Sequence, residues 1–126
     1  MLTPLYAGLL GLLYAVLSGR VMWWRMRSGV LTGDGPDEVG HAMVRAHANF
    51  MEFVPLGLVL ILVIELGGGD LRWVHGLGSA LLAARVLHAV GMWRSTGVTL
   101  GRRGGAGLTW AVLLVASAVC LSLYAG

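Results

Sequence analysis

The string HAMVRAHANFMEFVP, residues 41–55, holds the residues of this chain best placed to do chemistry. Arg45, Asn49 and Glu52 recur at intervals of four and three, which bring side chains to one face of an α-helix. With Arg45 at zero and about 100° per residue, His41 falls at about −40°, Asn49 at about +40° and Glu52 at about −20°. A guanidinium, an amide and a carboxylate in one narrow stripe can bind a small anion that also presents an ammonium group. They can equally neutralise one another as a structural ion pair completed by the Asn49 amide. Arg85 and His88, three residues apart, share a face further along the chain.

These polar residues sit inside runs that are otherwise apolar, and that context decides their weight. An ionised side chain at mid-span costs roughly 3 kcal/mol on insertion scales, so Arg45 and Glu52 must face protein, water or each other. Counted from the same end at about 1.5 Å per residue, Arg45 and Arg85 both lie on the order of 10 Å inside and Glu52 about 20 Å. The two polar faces are expected to meet there, with Arg20 reaching in from the end of the first run. Arg45 and Arg85 then oppose one carboxylate, Glu52, which leaves one positive charge for an anionic ligand.

The elements that must position this cluster follow from composition. The chain has 126 residues, 57% hydrophobic and 12% charged, with a mean hydropathy of +0.80. That balance excludes an ordinary soluble domain and a disordered tail. A helical span takes about 20 apolar residues. Runs at about residues 2–22, 39–66, 71–93 and 105–124 therefore predict an all-α protein, a four-transmembrane-helix antiparallel bundle forming one integral membrane domain over residues 1–126. The first run is an anchor and not a signal peptide, because its first charge, Arg20, comes after the apolar stretch.

The nine basic residues are all arginine and are dispersed, so they read as membrane orientation and no nucleic-acid partner is expected. Arg20, Arg25 and Arg27 flank the first loop and Arg94, Arg102 and Arg103 the third, against Arg72 at the second. Loops one and three are expected in the cytoplasm and both termini outside. The lysine-free composition, rich in Gly, Ala and Arg, points to a GC-rich bacterial source and hence to the inner membrane. Cys120 has no partner cysteine, and His41 and His47 face different ways, so no disulfide and no metal site are expected. Asp37 or Asp34 is expected to cap the second helix. Pro55 is expected to bend it and open space beside Glu52. Ala7, Gly11, Ala15 and Gly19, with Gly76, Ala80 and Ala84 and the pair Gly107 and Ala111, make smooth faces for helix packing. Trp23, Trp24, Trp73 and Trp93 read as interface anchors, and Trp110 as a packed residue.

RAHANFMEFVP, Arg45 to Pro55, resembles the second-helix signature of the MAPEG family, the membrane-associated proteins of eicosanoid and glutathione metabolism. RVLH, Arg85 to His88, resembles the family's third-helix segment, and the length and four spans agree, so the likeness covers essentially the whole chain. The resemblance, to bacterial members of the microsomal glutathione transferase type, implies a homotrimer binding glutathione in clefts between subunits. By that resemblance Arg45, Asn49 and Glu52 hold the polar ends of glutathione, with Arg85 and His88 contributing and Arg20 assisting at the rim. Arg102, or alternatively its neighbour Arg103, corresponds to the arginine that stabilises the thiolate. The thiolate then attacks a lipophilic electrophile or hydroperoxide drawn from the membrane lipid. The chain departs from many animal members at His41 and Ala42, where they carry an acidic residue and an arginine, and at Met92, where a tyrosine is usual.

Three functions are thus open. The first is a glutathione transferase or peroxidase. The second is a non-catalytic trimeric membrane protein binding glutathione, lipid or a partner. The third is a small proton-coupled exporter with Glu52 as the carrier carboxylate.

Overall fold

The computed structural model describes residues 1–94, 97 and 99–126, the side chain of Arg94 excepted. Four helices account for it: α1 (Thr3–Ser28), α2 (Glu38–Leu66), α3 (Leu71–Arg94) and α4 (Leu100–Ala125). All four are long and apolar enough to cross a membrane. Short connectors make consecutive helices antiparallel, so loops one and three share an end of the bundle that carries most of the arginines. Arg94, one of the arginines used to read orientation, has a side chain outside the described residues. α2 and α3 each pack against every other helix, whereas among the described residues α1 and α4 do not pack on each other. α3 is the most enclosed, with half of its apolar window inside the subunit against 17% for α4.

Helix ends depart from the hydropathy boundaries because polar caps extend them. α1 continues through Trp24 to Ser28 and stops at Gly29, whose φ of 71° is the left-handed conformation that closes a helix. Asp37 caps α2, accepting the Gly40 N–H, and also accepts the Trp24 indole N–H at 3.1 Å. Asp70 accepts the Arg72 N–H at 2.8 Å and closes the start of α3. Thr99 caps α4 by accepting the Arg102 N–H at 3.2 Å. The fourth helix consequently begins at Leu100, ahead of the expected residue 105, and places Arg102 and Arg103 in its first turns. At the opposite end, Glu65 of α2 accepts the Leu2 and Thr3 backbone N–H groups, so one helix's last turn caps another's first. α2 is helical through Pro55.

The tryptophans sort differently from the expectation. Trp24 is buried, its ring lying against Gly40 where a Cβ would stand 2.0 Å from it. This contact pins the end of α1 to the start of α2. Trp110, expected to pack, is 58% exposed, with Phe53 beside it.

The glycines that matter within the subunit are also different ones. A Cβ on Gly11, Gly19, Gly76 or Gly107 would meet nothing, so those glycines look outward, whereas Ala84 at the end of the α3 stripe is fully buried. A Cβ on Gly105 would stand 2.5 Å from the Ala84 carbonyl oxygen and 2.8 Å from the His88 nitrogen, and one on Gly91 would stand 2.6 Å from the Arg102 nitrogen. Here α3 and α4 approach backbone to backbone, and backbone cannot give way cheaply. Gly105→Ala is expected to destabilise the subunit by about 1–3 kcal/mol, with Gly107→Ala near neutral, as measured by unfolding in mixed detergent micelles.

Candidate functional site

The polar stripe of α2 divides between two environments. Arg45 and Glu52 pair at 3.8 Å on the outer surface of the subunit, their side chains 46% and 48% exposed. Asn49 turns inward. Its Oδ1 accepts from Arg85 Nη1 at 2.7 Å. Arg85 is 2% exposed, and its Nη2 donates to the Gly105 carbonyl oxygen at 3.1 Å and to Thr109 Oγ1. Thr109 in turn donates to the Gly105 oxygen at 2.8 Å.

A buried guanidinium thus ties α2, α3 and α4 together through neutral oxygens. The arginine's donors are spread over three acceptors, while Nε has none among the described residues. This revises the charge argument drawn from the sequence. Within one subunit Glu52 answers Arg45 alone, and Arg85 meets no carboxylate among the described residues. Thr109 was missed because a threonine in a long apolar run carries no charge to attract notice. Its signal would have been its position on α4 at the depth of Arg85.

His88, one turn beyond Arg85, is buried against the α4 backbone at Gly105 and lies within reach of the Arg85 and Arg102 charges. Arg20 does not join the group in the subunit. Its guanidinium lies over the Trp93 ring at 4.4 Å. His47, expected to hydrogen-bond between helices, packs its ring on Tyr14 at 5.2 Å instead. His75, expected at the interface, is exposed but shares a 2.6 Å hydrogen bond with the buried Tyr6 hydroxyl, which also bonds Ser79 at 2.8 Å. Sequence spacing could not reveal that contact, which joins the first helix to the third.

A cavity of about 560 Å³ opens at the arginine-rich end. Glu38, His41, Ala42 and Arg45 form its α2 wall, Met92 its α3 wall and Arg102 its α4 wall, while Gly35, Pro36 and Asp37 line it from the loop side. Its volume falls within the roughly 300–1,000 Å³ usual for small-molecule sites. Two guanidiniums from distant parts of the sequence therefore face one space. Arg103, by contrast, is exposed and does not line it. Arg102 also stands in the first turn of α4, where the helix dipole is positive and a cation is disfavoured. Arg102 and the positive end of α4 offer an anion a local site, while Asp37 and Glu38 set two carboxylates against the two guanidiniums of the cavity as a whole.

The loop over the cavity is tethered from both helices that flank it. His41, on the cavity wall, shares a hydrogen bond with Asp34 of the α1–α2 loop, and Arg25 donates to the Leu31 and Gly33 carbonyl oxygens at 3.0 and 2.9 Å. The bond with His41, aided by a backbone bond and the nearby charges of His41 and Arg45, holds the Asp34 carboxyl below the usual aspartate range. A depressed carboxyl contributes its tether above its unfolded pKa of about 4 and loses it as pH falls through the lower folded value. Protection of the Gly33 and Gly35 amides, relative to their intrinsic exchange at each pH, is expected to fall in acid, and Asp34→Asn to show the lower protection already at neutral pH.

The family signature and the geometry agree with comparisons to known proteins. The MAPEG family model matches residues 3–122. Inner membrane protein YecN of Escherichia coli K12 is 36% identical over 115 residues, covering 91% of this chain and 86% of that protein, and the YecN of E. coli O6:H1 aligns identically. With the family model spanning nearly every residue and four apolar helices arranged as a bundle, this chain belongs to the MAPEG family of integral membrane proteins.

Proposed function

We propose that this protein is a glutathione-dependent transferase or peroxidase whose site is the cavity between Arg45 and Arg102. The observation that carries the reading is the convergence of those two guanidiniums, from α2 and α4, on one space of ligand size. Glutathione presents two carboxylates, an ammonium and a thiol. Arg45 is placed to meet a carboxylate, and Glu52, half exposed beside it, is free on its outer side to meet the ammonium. Arg102 stabilises the thiolate over the thiol, which readies the sulfur to attack a lipophilic electrophile or hydroperoxide arriving from the bilayer. Asn49, Arg85 and His88 brace the helices behind this space. The outward position of Arg45 and Glu52, together with the smooth outward face of α1, supports assembly as a homotrimer in which a neighbouring subunit closes the site.

A calorimetric titration of the purified protein with glutathione tests the reading, and heat of binding accompanied by thiolate absorbance is the expected result. Arg45→Ala is expected to weaken binding by about 10- to 100-fold, the size of one hydrogen bond to a charged group. No binding by the wild-type protein would end the proposal. A second reading, a non-catalytic glutathione-binding membrane protein, is favoured by Met92, whose thioether on the cavity wall offers no hydrogen-bond donor to a reacting group. Binding without thiolate formation would select it.

A further inference from the structure

We propose that the outer face of α1 at the arginine-rich end binds an anionic phospholipid, its headgroup between Arg20 and Arg27 and an acyl chain along Val16, Leu12 and Leu9. Arg20, Trp23 and Arg27 are spaced three and four residues apart, so they form one stripe over two turns. Each guanidinium lies over an indole: Arg20 on Trp93 at 4.4 Å and Arg27 on Trp23 at 4.8 Å. A cation–π contact takes up no hydrogen-bond donor of the guanidinium, so its N–H groups stay available to a further acceptor. Among the described residues neither arginine donates a hydrogen bond or meets a carboxylate. Arg25, Arg45, Arg72 and Arg85 are all engaged.

The surroundings specify a lipid. Trp23 and Trp93 are 52% and 47% exposed, as suits indoles at the headgroup level. Below Arg20, Val16, Leu12 and Leu9 continue the same face of α1 and are 49%, 67% and 39% exposed, a bulky apolar track for a hydrocarbon chain. The smooth stripe centred on Gly11 lies about 180° around the helix from Arg20, so close approach of another helix belongs to that other side. Two uncompensated cations match a headgroup with net negative charge. A zwitterionic headgroup offers the same phosphate but brings an ammonium that both arginines repel.

Native mass spectrometry of the full chain in neutral detergent, titrated with phosphatidylglycerol or phosphatidylethanolamine, tests this. The wild-type protein is expected to retain phosphatidylglycerol about tenfold more strongly, R20Q/R27Q to lose that preference, and R20K/R27K to keep most of it. Should R20Q/R27Q not assemble, Arg27→Gln alone carries the test, since Arg27 and Trp23 are both exposed. A drop in preference of about threefold or more supports the site. Equal retention of both lipids, undiminished preference in R20Q/R27Q or in Arg27→Gln, or displacement of the lipid by an equal concentration of inorganic phosphate would each overturn it.

Discussion

Arg102→Ala is expected to abolish the thiolate absorbance of bound glutathione at neutral pH and to lower kcat about 100-fold, with KM changed by only a few-fold. An opposite charge within about 4–6 Å lowers an acid's pKa by about 1–3 units, and an unperturbed thiol ionises at about 8.5. Removing the charge returns the sulfur to a few per cent thiolate. On the proposed site the carboxylate anchor at Arg45 remains, so binding is expected to survive. Arg102→Lys keeps a cation in the cavity and is expected to recover part of the thiolate signal. Arg103→Ala is the informative comparison: Arg103 follows Arg102 directly but is exposed and off the cavity, so its loss is expected to leave the spectrum unchanged. A thiolate signal untouched by Arg102→Ala would remove Arg102 from the chemistry.

The second large effect concerns stability. Asn49→Leu removes the acceptor of Arg85 Nη1 and sets an apolar side chain against a guanidinium that is 2% exposed. The expected cost is about 1.5–3 kcal/mol for a hydrogen bond to a charged group, seen as a lower midpoint of unfolding in mixed micelles. The double variant Asn49→Leu/Arg85→Met is expected to be more stable than Asn49→Leu alone. Removing the charge together with its acceptor takes away the desolvation penalty as well as the bond. A double-mutant cycle between the two positions measures their coupling directly, and additive effects would show that the observed bond contributes nothing.

Arg85 shows why sequence pattern stops short of a site. Its depth on α3 and the depth of Asn49 on α2 are readable from residue counts, and the meeting of their faces was foreseeable. The choice of partners was not. Side chains at one depth can satisfy a guanidinium with a carboxylate or with several neutral oxygens, and the outcome rests on rotations of a few tens of degrees about the helix axes. Those rotations bring Thr109 and the Gly105 carbonyl to Arg85 and leave Arg45 and Glu52 outside. The glycines teach the same point. Gly11 and Gly105 are alike in sequence terms, yet one faces open space and the other α3.

The sequence by itself determined the four spans, their antiparallel order, the family, and Arg45, Asn49, Glu52 and Arg102 as residues of interest. Hydropathy over about 20 residues and the i, i+4, i+7 spacing are local properties, written in consecutive residues. The tertiary structure alone decided that Arg102 and not Arg103 faces the cavity with Arg45, that Arg20 stacks on Trp93, and that Trp24 is buried. Each of these depends on how one helix is turned and capped relative to another, and in an apolar bundle that is settled by backbone approach at a few glycines and by where buried polar groups find acceptors.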